Sequence, residues 1–252
     1  MMIKMLSLFL VGLILAGTGQ RSCQVRRHPN KAEATVPSQK PNKSDTPTPE
    51  QTTEPSKGKM LTAEEIAQTT LLAVVLITCD GLDSSLQGSG FFIRSGMVIT
   101  NHHVVDQCGG IDVEFLDSSG QKRRTQGSLL ASDADADLAV IVVPVAETAR
   151  VHKLEIAEEA AVVGETVFAA GNPKGLERTF SPGIVSADLR MVDSSTRLQI
   201  TAPISQGSSG GPVVNSRGNV VGVAVSSVEG GQNLNFAVPA ILIKKFIYTL
   251  KQ

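Results

Sequence analysis

Between residues 71 and 238 the apolar side chains come in short runs, rich in β-branched residues and broken by turn signals. The runs are 71–78, 91–93, 97–100, 111–115, 127–131 and 138–143. The second half repeats the style at 166–170, 180–188, 198–202, 212–215, 220–226 and 234–238. Each is too short for a buried helix and well suited to a buried strand. Residues 81–90 read as a turn-rich link. Arg94-Ser95-Gly96 reads as a hairpin turn, and further turns fall at Gly171-Asn172-Pro173-Lys174-Gly175, Asn215-Ser216-Arg217-Gly218 and Glu229-Gly230-Gly231. Only the two ends look helical. Thr62 is a cap candidate ahead of Glu64 and Glu65, and Ile241, Ile243, Phe246, Ile247 and Leu250 make an apolar pattern over 240–251. Many short strands with few helices predict an all-β barrel or sandwich.

The folded unit is predicted at residues 61–252. Residues 1–22 read as an export signal, with Lys4 in a positive start, an apolar run over 6–16, and small residues Gly17, Thr18 and Gly19 after it. The run is about half the ~20 residues that span a bilayer. Exported protein is therefore the expectation. The alternative is membrane tethering, through an uncleaved anchor or a lipidated Cys23, although Gln20 stands where a lipobox needs an apolar residue. Residues 23–60 hold Pro29, Pro37, Pro41, Pro47, Pro49 and Pro55 among Lys, Thr and Ser, with almost nothing apolar. Such a stretch cannot bury enough surface to offset its ordering entropy, so it reads as a disordered linker.

Composition excludes some partners. The net charge is −1, there is no Trp, and Tyr248 is the one Tyr. Neither a basic footprint nor an aromatic stacking platform for nucleic acid is present. Cys79 and Cys108 flank the segment around residues 100–105. Export to an oxidising compartment makes them a candidate disulfide, with two buried free thiols as the alternative.

Three segments carry the chemistry. Ser209 lies in Gln206-Gly207-Ser208-Ser209-Gly210-Gly211-Pro212, where glycines let backbone approach a reacting carbonyl and let N–H groups converge on an oxyanion. Upstream are His102 and His103 in Thr100-Asn101-His102-His103-Val104-Val105, and Asp133, Asp135 and Asp137 ahead of Leu138-Ala139-Val140. Histidine, aspartate, serine is one of the chain orders known for a catalytic triad. The three aspartates are not a calcium loop. Leu138 stands where that loop needs glycine and Pro144 where it needs glutamate. No metal or organic cofactor is expected.

Taken with Gly88-Ser89-Gly90-Phe91-Phe92-Ile93, Gly171-Asn172-Pro173, Ser181-Pro182-Gly183-Ile184-Val185-Ser186 and Asn235-Phe236-Ala237-Val238-Pro239, these motifs resemble the HtrA (Deg) branch of the trypsin-like serine proteases over residues 62–248. The resemblance implies two six-stranded β-barrels, one over about 70–150 and one over about 160–240. It implies His103 as general base, Asp137 as its partner and Ser209 as nucleophile. The oxyanion hole would use N–H groups of Gly207 and Ser209, with Ser208. The specificity pocket would be lined by Ile204, Ala224, Val225 and Ser226. No carboxylate lies just before Ser209, which implies small or aliphatic P1 residues. The implied function is a serine endopeptidase acting on exported, misfolded or unfolded polypeptides. A catalytically silent scaffold or chaperone-like binder is the alternative. Family members form trimers through N-terminal segments, so a homo-oligomer is implied. Two departures stand out. Ser208 replaces the usual Asn, and the sequence ends too soon after the closing helix for the PDZ domain that relatives commonly carry, so no PDZ-mediated capture is expected.

Overall fold

Strand β4 (Gly110–Leu116) alternates half-buried and buried positions, so Ile111, Val113 and Phe115 all face one side. That period of two is what turns the short runs into barrel staves. The computed structural model describes residues 59–81, 85–172, 178–192, 195–225 and 234–250. The export-signal and linker segments up to residue 58, Ser226 and the turn at 229–231 lie outside the described residues.

The first barrel is closed in the order β1-β2-β3-β6-β5-β4, with β1 Val74–Asp80, β2 Ser85–Arg94, β3 Met97–Thr100, β5 Lys122–Asp133 and β6 Leu138–Val142. The second is closed as β10-β11-β12-β9-β8-β7, with β7 Thr166–Gly171, β8 Thr179–Val192, β9 Ser195–Ile200, β10 Pro212–Asn215, β11 Val220–Val225 and β12 Asn235–Pro239. All the pairings between strands are antiparallel. The fold is thus the all-β, two-barrel architecture that the sequence predicts. Closing each sheet removes the exposed edges that invite aggregation.

Each barrel has its own core. Val75, Ile77, Phe92, Val98, Val113, Phe115 and Ile141 fill the first, where the rings of Phe92 and Phe115 meet edge to face at 5.5 Å. Val167, Val185, Leu198, Ile200, Val213 and Val221 fill the second. A third apolar cluster joins the two barrels to helices α1 (Ala63–Ala73) and α4 (Ala240–Thr249). In it Ile66, Phe91, Ile99, Leu138, Phe168, Val214, Ile243 and Phe246 are buried together.

Local rules decide where the boundaries fall. Thr62 and Glu65 form a reciprocal capping box that starts α1. The helix runs on through Leu71, Leu72 and Ala73, and β1 begins only at Val74. The strand expected from residue 71 therefore starts three residues later, because a well-capped helix seats Ala73 in the interbarrel cluster. Residues 85–90, expected as part of a link, are the first half of β2 and pair with β1 from Ser85↔Asp80 to Gly90↔Val75. Their glycines are there for packing. A Cβ on Gly88 would collide with Val104, and one on Gly90 would meet Ile77 and Val98 at 2.8 Å. Strands β5 and β8 also exceed their apolar runs, since backbone pairing carries the charged residues Lys122, Arg123 and Arg124 along. Cys79 at the end of β1 is disulfide-bonded to Cys108, with Cα atoms 5.3 Å apart.

Candidate active site

The histidine sits on a single helical turn that follows β3. Asn101 keeps an extended backbone, and α2 (His102–Val105) then turns once. Val104 and Val105 are buried and fix the turn to the first barrel, while the His103 side chain keeps 45% of its surface exposed. His103 is thus rigid at its base and open at its tip. Its neighbour His102 lies 3.9 Å from Asp106 across the turn.

Asp137 faces His103 from the turn before β6. Nδ1 of His103 is 3.0 Å from both Oδ1 and Oδ2 of Asp137, and the His103 amide donates to Oδ1 at 3.1 Å. A carboxylate offers only acceptors, so Nδ1 carries the imidazole proton and Nε2 keeps the lone pair. The aspartate's own backbone has φ +58°, a left-handed conformation that Asp tolerates better than most residues. Two contacts hold it there. Asn101 Nδ2 donates to the Asp137 carbonyl at 2.8 Å, and the Ala136 amide donates to Asp133 Oδ1 at 2.9 Å. Asp133 is therefore the residue that shapes the turn, and Asp137 the one that meets the histidine.

The Ser209 segment is a pair of consecutive β-turns. The Ser208 amide donates to the Ser205 carbonyl at 2.9 Å, and the Gly211 amide donates to the Ser208 carbonyl at 3.0 Å. Each turn has a glycine in third position with positive φ, Gly207 at 89° and Gly210 at 86°. That is the type II pattern, which needs glycine there. Ser208 and Ser209 are buried. Of the three expected oxyanion donors, the Ser208 N–H is engaged by the Ser205 carbonyl.

The double turn abuts the histidine segment. A Cβ on Gly210 would strike the Ser89 carbonyl and the Thr100 hydroxyl, and would lie 3.2 Å from the Asn101 amide. The Gly210 amide donates to Ala224 O, and the Ala224 amide donates to Gly211 O, so the turn is also stitched to β11. Of the expected pocket residues, Ile204 and Ala224 are buried in the second-barrel core and Val225 is half-buried. The Ile204 amide faces Asn235 Oδ1 at 3.4 Å.

Three residues to which the sequence reading gave no role join the barrels at this site. Ser89, wholly buried on β2, bonds to the Ser209 and Gly207 carbonyls. Arg197, buried on β9, donates to the Ala136 carbonyl at 3.3 Å, next to Asp137, and Ser195 donates to the Asp135 carbonyl at 2.6 Å. Among the described residues no cluster of three or more His, Cys, Asp or Glu could hold a metal ion.

A sequence profile of the trypsin-like peptidase domain matches residues 88–223, which takes in β2 through most of β11. The chain belongs to the trypsin-like peptidase family. Its likenesses lie in the HtrA branch. A probable periplasmic serine endoprotease, DegP-like, of Chlamydia trachomatis is 36% identical over 175 residues, covering 65% of this chain and 33% of that protein. A putative serine protease HhoB of Synechocystis is 35% identical over 165 residues, covering 60% and 37%. The chain thus spans about a third of the length of the curated relatives it matches. Among solved structures, the serine endoprotease from Yersinia pestis superposes with a TM-score of 0.65 at 30% identity, covering 75% of this chain and 66% of that one. Deg5 gives 0.64 at 30% identity, covering 74% and 93%.

Proposed function

We propose that the chain is an exported serine endopeptidase of HtrA type that hydrolyses unfolded or misfolded polypeptides through an acyl-enzyme on Ser209. The observation that carries the reading is the His103–Asp137 pair, with Nδ1 3.0 Å from both carboxylate oxygens. In this reading Ser209 Oγ attacks the scissile carbonyl while its proton passes to His103 Nε2. Asp137 stabilises the imidazolium that forms. The negative charge on the former carbonyl oxygen is met by the N–H groups of Gly207 and Ser209. His103 returns the proton to the departing amine. Water then repeats the sequence on the acyl-enzyme and releases the acid.

The apolar character of Ile204, Ala224 and Val225 supports a preference for small or aliphatic P1 residues, because a basic P1 side chain would find no counter-charge among them. The periplasmic naming of the relatives supports an exported protein. A homo-oligomer, the trimer implied by the family, belongs to the same reading, and analytical ultracentrifugation checks it.

A fluorophosphonate probe tests the chemistry. Mass mapping should find the adduct on Ser209, and His103→Ala should abolish it while the fold stays intact by circular dichroism. Intact wild-type protein that takes no label and leaves casein uncut overturns the reading in favour of a silent scaffold.

A further inference from the structure

We propose that Ser89 is a positioning residue that clamps the Ser209 turn from the opposite barrel, an inference that rests on the serine endopeptidase reading. Ser89 is 118 residues from Gly207 in sequence and has no exposed surface. Every polar group it has is engaged. Its hydroxyl donates to the Gly207 carbonyl at 2.6 Å and accepts from the Asn172 amide at 2.8 Å. Its amide donates to the Ser209 carbonyl at 2.8 Å, and its carbonyl accepts from the Thr100 hydroxyl at 2.7 Å.

The consequence appears peptide by peptide. The 207–208 peptide is tied at both ends, its carbonyl by the Ser89 hydroxyl and its N–H by Ser205 O. The 209–210 peptide is tied likewise, its carbonyl by the Ser89 amide and its N–H by Ala224 O at 2.9 Å. Between them the Ser208 carbonyl is held by the Gly211 amide. Peptides are planar units, so fixing both ends of one fixes the torsions on either side. Ser89 supplies the carbonyl-side tie of both peptides that flank the 208–209 peptide, the one that carries the Ser209 N–H. Its side-chain tie is the one that can be removed without touching the main chain. The hydroxyl must both donate and accept in a fully buried place, which alanine cannot do and glycine cannot do. Gly171 keeps the space clear, since a Cβ there would lie 3.0 Å from both Ser89 Oγ and Ser208 Cα.

Ser89 touches no reacting atom in this scheme. It acts by holding the Gly207 and Ser209 N–H groups where an oxyanion forms. Loss of the hydroxyl frees the 207–208 peptide to turn, and misplacement of this order lowers the chemical step by about 10- to 100-fold.

The test is steady-state peptide hydrolysis by Ser89→Ala in the full chain, with hydrogen exchange followed over residues 205–211. The expected result is kcat lower by about 10- to 100-fold, KM within about twofold and faster exchange in that turn. Ser89→Cys, nearly the same size and a weak donor, should fall between alanine and wild type, and it carries the test alone should the alanine variant not fold. A kcat within twofold of wild type, or a loss that appears in KM alone, overturns the role. Should wild type itself prove inactive, the endopeptidase reading fails separately. Hydrogen exchange then decides Ser89, and unchanged protection over 205–211 in the variant overturns the clamp.

Discussion

Asp137 Oδ1 accepts from both the ring Nδ1 and the backbone amide of His103, at 3.0 and 3.1 Å. One carboxylate oxygen therefore fixes the histidine's main chain and its ring together. Asp137→Asn offers an N–H in place of an acceptor and favours the tautomer with the proton on Nε2. The expected loss in kcat/KM is about 10⁴-fold with little change in melting temperature. A fluorogenic peptide assay beside a thermal melt separates the two effects.

Gly210→Ala should damage both fold and activity. The position has φ +86°, and an added Cβ would run into the Ser89 carbonyl and the Thr100 hydroxyl. The backbone conformation alone disfavours alanine by about 1–2 kcal/mol, before any clash. Urea unfolding should give a loss above that figure, together with loss of fluorophosphonate labelling. A variant as stable as wild type would mean that the two segments are not in this contact.

Arg197→Met removes a buried donor to the Ala136 carbonyl. Hydrogen bonds from charged groups contribute about 1.5–3 kcal/mol, so a stability loss of that size is expected. Activity should fall with it, because the freed carbonyl belongs to the turn that presents Asp137. Chemical denaturation measures the first effect and peptide hydrolysis the second.

The disulfide between Cys79 and Cys108 closes a loop with a sequence separation of 29 around the His103 turn. The chain-entropy relation for such a loop gives roughly 3–4 kcal/mol. Cys79→Ser/Cys108→Ser should lower the urea midpoint accordingly. Adding dithiothreitol to wild type should give the same shift and leave the double variant unchanged.

Acid should lower stability through Asp117. Hydrogen bonds from the Ser119 hydroxyl and Arg123, then from the Gln121 and Ser119 amides, hold its carboxyl well below the usual carboxylate range. A depressed folded-state value means that the group stabilises the fold above the unfolded-state pKa of about 3.9. That contribution fades as pH falls below it towards the folded value. The gap in urea midpoint between wild type and Asp117→Asn should be open at pH 7 and narrow steadily below about pH 4.

Much of this was legible in the sequence because it depends on local pattern. Alternating residues such as Ile111, Val113 and Phe115 announce a strand wherever they occur, and Thr62 with Glu65 announces a helix start. The glycines at 207 and 210 mark turns by their own chemistry. What escaped depends on distant partners. Ser85, Gln87 and Ser89 have no apolar signature, and they are strand only because β1 lies alongside. Arg197 looks like a surface cation until the Ala136 carbonyl is brought over it. The choice of Asp137 over Asp133 and Asp135 comes from the family resemblance and not from the side chains themselves. Asp133 bonds within its own turn and Asp137 reaches across to His103, a difference that three similar side chains at alternate positions do not reveal.

Helix α1 precedes the first barrel in the chain, yet Ile66 is buried beside Val214, Val220, Ile243 and Phe246, and the Leu61 amide donates to Ser216 O at 2.9 Å. The opening segment is thus seated on residues that emerge from the ribosome about 150 positions later. Helix α1 cannot complete its docking until those later residues are present. Maturation waits on the last strands and helix, and a truncated translation product would leave its leading helix undocked, a ready handle for cellular clearance.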